Sequence, residues 1–196
     1  MIMLKGNYLS PILRSKKTVF STKDIALLWH DANSLATRVR LNYYVDKGEL
    51  LRLRKGLYAK NKDYDRIELG TRILTPAYVS FETVLVREGV IFQYYTEIFV
   101  ASYATREITV DDQVYSFRKL RTDLLVNPLG VEHVNETSIA SMERAFLDLL
   151  YVSPRAYFDY LGGIDWEKVN QILPIYENKS LEKRVARWKL RTESKI

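Results

Sequence analysis

At 196 residues, 47% hydrophobic, with 8 glycines and 5 prolines, the chain can bury a substantial core in one or two domains and is too apolar to be disordered over most of its length. It has no cysteine and only His30 and His133 as histidines, which excludes disulfides, thiolate chemistry and Cys-type or His-rich metal centres; metal chemistry would have to rest on carboxylates, which suits only Mg, Mn or Ca, and neither a metal site nor a cofactor is expected. The net charge of +6 is unevenly spread: residues 1–62 carry 13 Lys/Arg against 4 Asp/Glu, residues 63–178 carry 10 against 18, and residues 179–196 carry 7 against 2, which points to a polyanion-binding surface near the N-terminus.

In residues 5–15, Tyr8, Leu9, Ile12 and Leu13 recur at the spacing of one helical face, with Pro11 tolerable only in a first turn or at a kink. Thr18, Val19 and Phe20 are β-branched or aromatic and predict a short strand. Ser21-Thr22-Lys23-Asp24 is a Ser-x-x-Asp capping arrangement, opening a second helix with Ile25, Leu28 and Trp29 as its buried stripe. The polar break at 30–34 offers a new N-cap, and a third helix is expected from Ser34 to residue 46 or 47, stopped at Gly48. Leu35, Val39 and Tyr43, spaced by four, are expected to face inward. The outward face then presents Ser34, Thr37, Arg38 and Leu41, flanked by Arg40, Asn42 and Tyr44.

Leu51, Leu53, Leu57 and Ala59 alternate with polar positions around a Lys55-Gly56 turn, which predicts a hairpin exposing Arg52, Arg54 and Lys60. Tyr58 is expected to bond a phosphate or to pack beneath it. Helix, strand, capped helix, turn, helix and basic hairpin in this order form the pattern of a winged helix. A single amphipathic helix with two arginines is usually a solvated face, but this order coinciding with the basic third of the chain favours a double-stranded DNA reader. Arg38 is the best candidate for a base contact, because a guanidinium matches guanine O6/N7 bidentately, with Thr37 and Ser34 next. Arg52, Arg54, Lys55 and Lys60 are candidates for phosphate or minor-groove contacts.

The charged junction at 60–65 closes this domain at residue 62. Beyond it, Ser80 can cap a helix through residue 88, stopped at Gly89. Strands are expected over 90–95, 97–103, 106–110 and 113–120, the last two joined by an Asp111-Asp112 turn. Ser141 caps a helix to residue 151 with Phe146, Leu149 and Leu150 buried, and Asp165 caps another through residue 173. The expected fold is α+β: a winged helix-turn-helix over 1–62, a mixed α/β domain over 63–178 with a small, mostly antiparallel sheet, and a basic C-terminal helix over 179–196. That helix has an apolar edge of Leu181, Val185 and Trp188; its basic face suits DNA, the acidic middle of its own or a partner chain, or simply solvent.

Tyr94, Tyr95, Tyr103 and Tyr115 fall on expected strands and could stack single-stranded bases, although strands favour tyrosine anyway. Glu82, Glu97, Asp123 and Asp148 form no spaced carboxylate motif, the two aspartates at 111–112 suit a turn, and His133 reads as an ordinary loop residue. No phosphate-cradling glycine loop or nucleophile elbow is present, so no enzyme is expected. No apolar run approaches the roughly 20 residues that span a bilayer and no signal-peptide core is visible, so a cytoplasmic protein without a membrane partner is expected.

The runs Lys17-Thr18-Val19-Phe20-Ser21-Thr22-Lys23-Asp24-Ile25-Ala26, Tyr44-Val45-Asp46-Lys47-Gly48-Glu49-Leu50 and Arg54-Lys55-Gly56-Leu57-Tyr58 resemble the N-terminal winged helix of AbiEi-type antitoxins, from type IV abortive-infection toxin-antitoxin systems. Residues 78–85 and 139–151 resemble that family's second domain, so the likeness covers about residues 16–165. It implies a repressor that binds its own operon's promoter. It also implies a second domain that counteracts a nucleotidyltransferase-type toxin without a stable toxin complex. Only the recognition-helix and wing positions carry over. A homodimer is left open. The competing expectation is an interaction module that neutralises a partner through residues 63–196, with a nucleic-acid-processing enzyme third.

Overall fold

The computed structural model describes residues 8–31 and 34–194, Ser34 by its backbone alone, and it divides the chain into two units, Met1–Ile73 and Leu74–Ile196. Among the described residues the protein is α+β, with nine α-helices, a three-stranded antiparallel sheet and a mixed six-stranded sheet.

The first unit runs α1 (Leu9–Arg14), β1 (Val19–Ser21), α2 (Thr22–Leu28), α3 (Ser34–Asp46), β2 (Leu51–Arg54), β3 (Leu57–Ala59) and α4 (Arg66–Ile73). Residues 5–7 of the expected first helix and residues 32–33 of the polar break lie outside the described residues. Local chemistry sets the element ends. Ser21 Oγ accepts from Asp24 N–H at 3.1 Å while the Asp24 carboxylate accepts from Ser21 N–H at 2.8 Å, a complete capping box. Gly48, with φ +71°, ends α3, and Glu49 N–H turns back to the Tyr44 carbonyl at 2.9 Å. Gly56, with φ +83°, makes the hairpin turn, and its carbonyl accepts from Thr22 N–H at 3.0 Å, which fixes the hairpin tip against the start of α2.

β3 is the central strand, antiparallel to both β1 and β2, with a register irregularity between Arg52 and Arg54. The core beneath joins Ile12, Phe20, Ile25, Trp29, Leu41, Tyr44, Leu50 and Tyr58. Tyr58 therefore packs under the hairpin and is not presented to a phosphate.

This unit extends past residue 62, because α4 is tied to β1. Buried Glu68 accepts from Thr18 N–H at 2.9 Å and from the Thr18 hydroxyl at 2.7 Å, and Leu69 is buried beside it. Arg72 lies 3.6 Å from Glu68 and 3.9 Å from Asp24. α4 is not among the expected helices; its local signal is Asp65, whose carboxylate accepts from Ile67 and Glu68 N–H at 2.7 and 3.3 Å, and its anchor is a buried carboxylate bonded to a residue far away in the chain.

The second unit runs β4 (Ala77–Val79), α5 (Phe81–Arg87), β5 (Ile98–Ser102), β6 (Arg106–Val110), β7 (Gln113–Lys119), α6 (Thr122–Val126), β8 (Val131–Val134), β9 (Thr137–Ala140), α7 (Met142–Val152), α8 (Trp166–Ile172), a 3-10 turn (Leu173–Tyr176) and α9 (Lys179–Glu193). The strand order is β6-β7-β5-β4-β9-β8. Antiparallel pairs β6/β7, β5/β4 and β9/β8 alternate with parallel pairs β7/β5 and β4/β9, so the sheet is larger and more mixed than expected. α5 and α7 pack on each other, and α7 also meets α8 and α9. The Asp111-Asp112 turn, the Ser141 cap and the Asp165 cap are all present.

Residues 90–95 are not a strand. The Val90 carbonyl accepts from Asp159 and Tyr160 N–H at 3.0 and 3.2 Å, and Phe92 N–H donates to the Asp159 carboxylate at 2.8 Å, so these groups are spent on a loop. His133 lies on β8, paired with Ser138, and not in a loop. No helix among the described residues is long and apolar enough to cross a membrane.

Candidate nucleic-acid interface

α3 is rolled away from the expected orientation, so that only part of the expected outward face is exposed. Thr37 and Leu41 are fully buried and Tyr44 nearly so, whereas Leu35, Val39 and Tyr43 are 67%, 63% and 56% exposed. The buried stripe is 37-41, which continues into buried Tyr44 and half-buried Val45. The stripe 35-39-43 ends at Asp46 and Lys47, and that continuation was the available signal. What obscured it is a polar residue in the core: the Thr37 hydroxyl donates to Asp31 Oδ2 at 3.0 Å, which removes the cost of burying it.

Several expected contacts are thereby committed elsewhere. Arg40 donates to Asp31 at 3.0 Å and its guanidinium lies 3.8 Å from the Tyr8 ring centroid and 5.2 Å from that of Trp29, so it secures the turn before α3. Tyr44 packs against Trp29 at 6.1 Å between ring centroids; burial, with the Glu49 charge behind it, pushes its hydroxyl above the ordinary tyrosine range against the opposing pull of Arg40. Lys60 donates to the Leu13 carbonyl at 3.3 Å and to that of Ser15, at the end of α1. Thr37, Leu41, Arg40, Tyr44 and Lys60 are therefore not offered to a ligand as expected, and the Ser34 side chain lies outside the described residues.

The groups that remain exposed lie on α3 and on the β2–β3 hairpin. Arg38 and Asn42 are exposed and lie four residues apart on α3, interleaved with Leu35, Val39 and Tyr43. On β2, exposed Arg52 donates through Nη2 to Asn42 Oδ1, joining hairpin and helix, while Lys55 is exposed at the turn and Arg54 is half-buried. At the start of α2, burial pushes the Asp24 carboxyl up, but hydrogen bonds from Ser21 and Lys17 outweigh it and hold Asp24 below the usual carboxylate range.

The second unit buries its charge. Asp148, fully enclosed on α7, accepts from the Tyr78 hydroxyl at 2.8 Å, the Ser80 hydroxyl at 2.8 Å, the Tyr176 hydroxyl at 2.6 Å and Arg144 Nε at 3.2 Å. Arg144 spends its remaining nitrogens on the Leu129 and Leu124 carbonyls at 2.7 and 2.8 Å and on Tyr78. Burial and the Asp148 charge push the Tyr78 and Tyr176 hydroxyls well above the ordinary tyrosine range. Ser80 thus gives its hydroxyl to Asp148 and does not cap α5.

The carboxylates Glu82, Asp123 and Asp148 are not brought together. Glu82 pairs with Arg118 at 2.8 Å and Asp123 with Arg121 at 2.6 Å. No group of three or more metal-ligating residues occurs among the described residues. Tyr94, Tyr95 and Tyr103 lie off the strands, and Tyr115, on β7, is fully buried, so these four tyrosines make no stacking face on the sheet. No protein-family model and no curated protein matches the chain.

Proposed function

We propose that the first unit is a winged-helix DNA-binding domain, with α2 and α3 as its helix-turn-helix and the β2–β3 hairpin as its wing. In this reading the chain is a cytoplasmic transcriptional repressor of the kind the antitoxin resemblance implies. The observation that carries it is the exposed pair Arg38 and Asn42 on one stripe of α3, linked to the hairpin through Arg52. Arg38 suits guanine O6/N7, Asn42 suits adenine N6/N7, and the side chains of Leu35 and Val39 suit thymine methyl groups, which together form a major-groove readout set. Lys55 and Arg54 serve phosphates along the hairpin. Opposition to a nucleotidyltransferase-type toxin, without a stable complex, belongs in this reading to the second unit.

A gel-shift titration of the full chain against the duplex upstream of its own gene tests the repressor reading. Preference over random duplex is expected, with log affinity falling linearly in log salt. Equal affinity for both duplexes rejects it.

The exposed apolar row Leu35, Val39 and Tyr43 on α3, with Leu27 76% exposed on α2, favours a second reading in which the first unit meets a protein. Co-expression with the neighbouring reading frame separates the two. A full-length Arg38→Ala chain that loses promoter binding but still protects cells from that product assigns protection to other residues.

A further inference from the structure

In the second unit, a groove of about 720 Å³ lies between residues 157–162 and the last turns of α9. Its size falls within the roughly 300–1,000 Å³ of small-ligand sites. One wall is a loop fixed at several points. Phe158 is buried against Phe146, with ring centroids 4.8 Å apart, and the Val90 and Phe92 backbones hold Asp159 and Tyr160 through the bonds described above. On either side of Phe158, Tyr157 and Tyr160 remain 67% and 58% exposed. The facing wall is Trp188, whose ring meets Tyr157 edge-on at 6.0 Å and Phe158 at 5.1 Å.

Two guanidinium groups complete the lining. Arg191 lies 5.3 Å from the Trp188 ring centroid, and Arg187 stands one turn earlier on α9. Neither forms an ion pair with a described residue, and the one lining carboxylate, Asp159, is occupied by Phe92 N–H. Flat rings held in place beside unpaired guanidinium groups fit a ligand that is itself flat and aromatic at one end and anionic at the other.

We propose that this groove binds a nucleotide, its base against Tyr157, Tyr160 and Trp188 and its phosphate on Arg187 and Arg191. The ligand is either a free nucleotide or a residue of a single strand. The site does not rest on the DNA-reading surface of the first unit.

Calorimetric titration of the full chain with ATP, and separately with a short single-stranded oligodeoxyadenylate, tests this. One equivalent of at least one probe is expected to bind; ATP alone assigns the free nucleotide and the oligonucleotide alone assigns the strand. The Arg187→Ala/Arg191→Ala pair and Tyr160→Ala are each expected to weaken binding about tenfold or more.

Gly162→Ala is a finer probe. An added Cβ would lie 2.2 Å from the Tyr160 hydroxyl, and the Gly162 backbone lies outside the left-handed region, so the substitution displaces the ring without straining the chain. It should weaken binding as Tyr160→Ala does. Lys183→Ala, which removes one positive charge on α9 outside the groove, and Arg38→Ala should leave binding unchanged. All of these residues, Gly162 included, are exposed, so unfolding midpoints should stay within those of the parent chain. Three outcomes overturn the proposal: neither probe binds, Lys183→Ala weakens binding as much as the arginine pair, or the chain forms a dimer that Leu190→Asp dissociates, which would mean that a second copy fills the groove.

Discussion

Arg38 and Arg144 show how differently the two units use the same residue type. In the first unit, Arg38 stands exposed on α3 while polar groups inside the unit, Thr37 and Asp31, serve only to shape the turn beside it. In the second unit, Arg144 is enclosed, and its bonds join α7 to β4, to α6 and to the loop at Leu129. An exposed arginine costs little to keep and is available to an anion. A buried one must be fully paired to exist at all, and once paired it is committed to the fold. The partner set decides between the two roles, and it is invisible in a window of sequence around the arginine.

That contrast can be broken most forcefully at Asp148. Asp148→Ala leaves Arg144 and the Tyr78 and Tyr176 hydroxyls without their shared acceptor and should cost about 3–5 kcal/mol in a denaturant titration. A cost below about 1 kcal/mol would mean that the buried cluster is not the centre of that unit.

Arg38→Ala should leave the unfolding midpoint unchanged and remove about 1–3 kcal/mol of discrimination at one base pair, read from gel shifts on operator variants. An equal loss on every sequence would make Arg38 a phosphate contact. Thr37→Val sharpens the orientation of α3. It should cost about 1 kcal/mol of stability, because Asp31 loses a donor, and leave base preference untouched; an altered preference would put Thr37 on the DNA face.

Lys55→Ala should weaken all duplexes alike and reduce the slope of log affinity against log salt by about 1. The smallest effect is set by pH. The Asp24 carboxyl lies below its ordinary value in the folded chain, and that value is about 3.9 when unfolded. Its stabilisation is therefore complete above that pH and is lost as the pH falls through the lower folded value. Asp24→Asn should flatten the acid limb of the stability profile, and an unchanged limb would remove the Ser21 capping box as its source.

Where a residue's partner is a near neighbour, the element was in most cases legible; the Asp65 cap of α4 and the β8–β9 hairpin are local exceptions. Ser21 with Asp24, Gly48, Lys55-Gly56, Asp111-Asp112, Ser141 and Asp165 each satisfy or redirect backbone groups within a few positions, so caps and turns could be placed from the letters alone. The apolar-aromatic run at 90–95 looked like a strand because period and composition cannot tell whether a carbonyl will meet a ladder or residues 159 and 160. The outward face of α3 and the hairpin was half legible. Arg38, Asn42, Arg52 and Lys55 are exposed as expected, but the helix rolled so that Leu35, Val39 and Tyr43 share that surface.

The sequence by itself determined the order of elements in the first unit from α1 to β3, two helix caps of the second and the concentration of positive charge near the N-terminus, since all of these rest on local bonds and composition. The tertiary structure alone decided which stripe of α3 is buried, that α4 completes the first unit through Glu68, and that Arg144 and Asp148 sit together in a core. The reason is the same in each case: a polar side chain enters the interior only where distant residues satisfy it, and Asp31, Thr18, Tyr78 and Tyr176 reach those places only through folding.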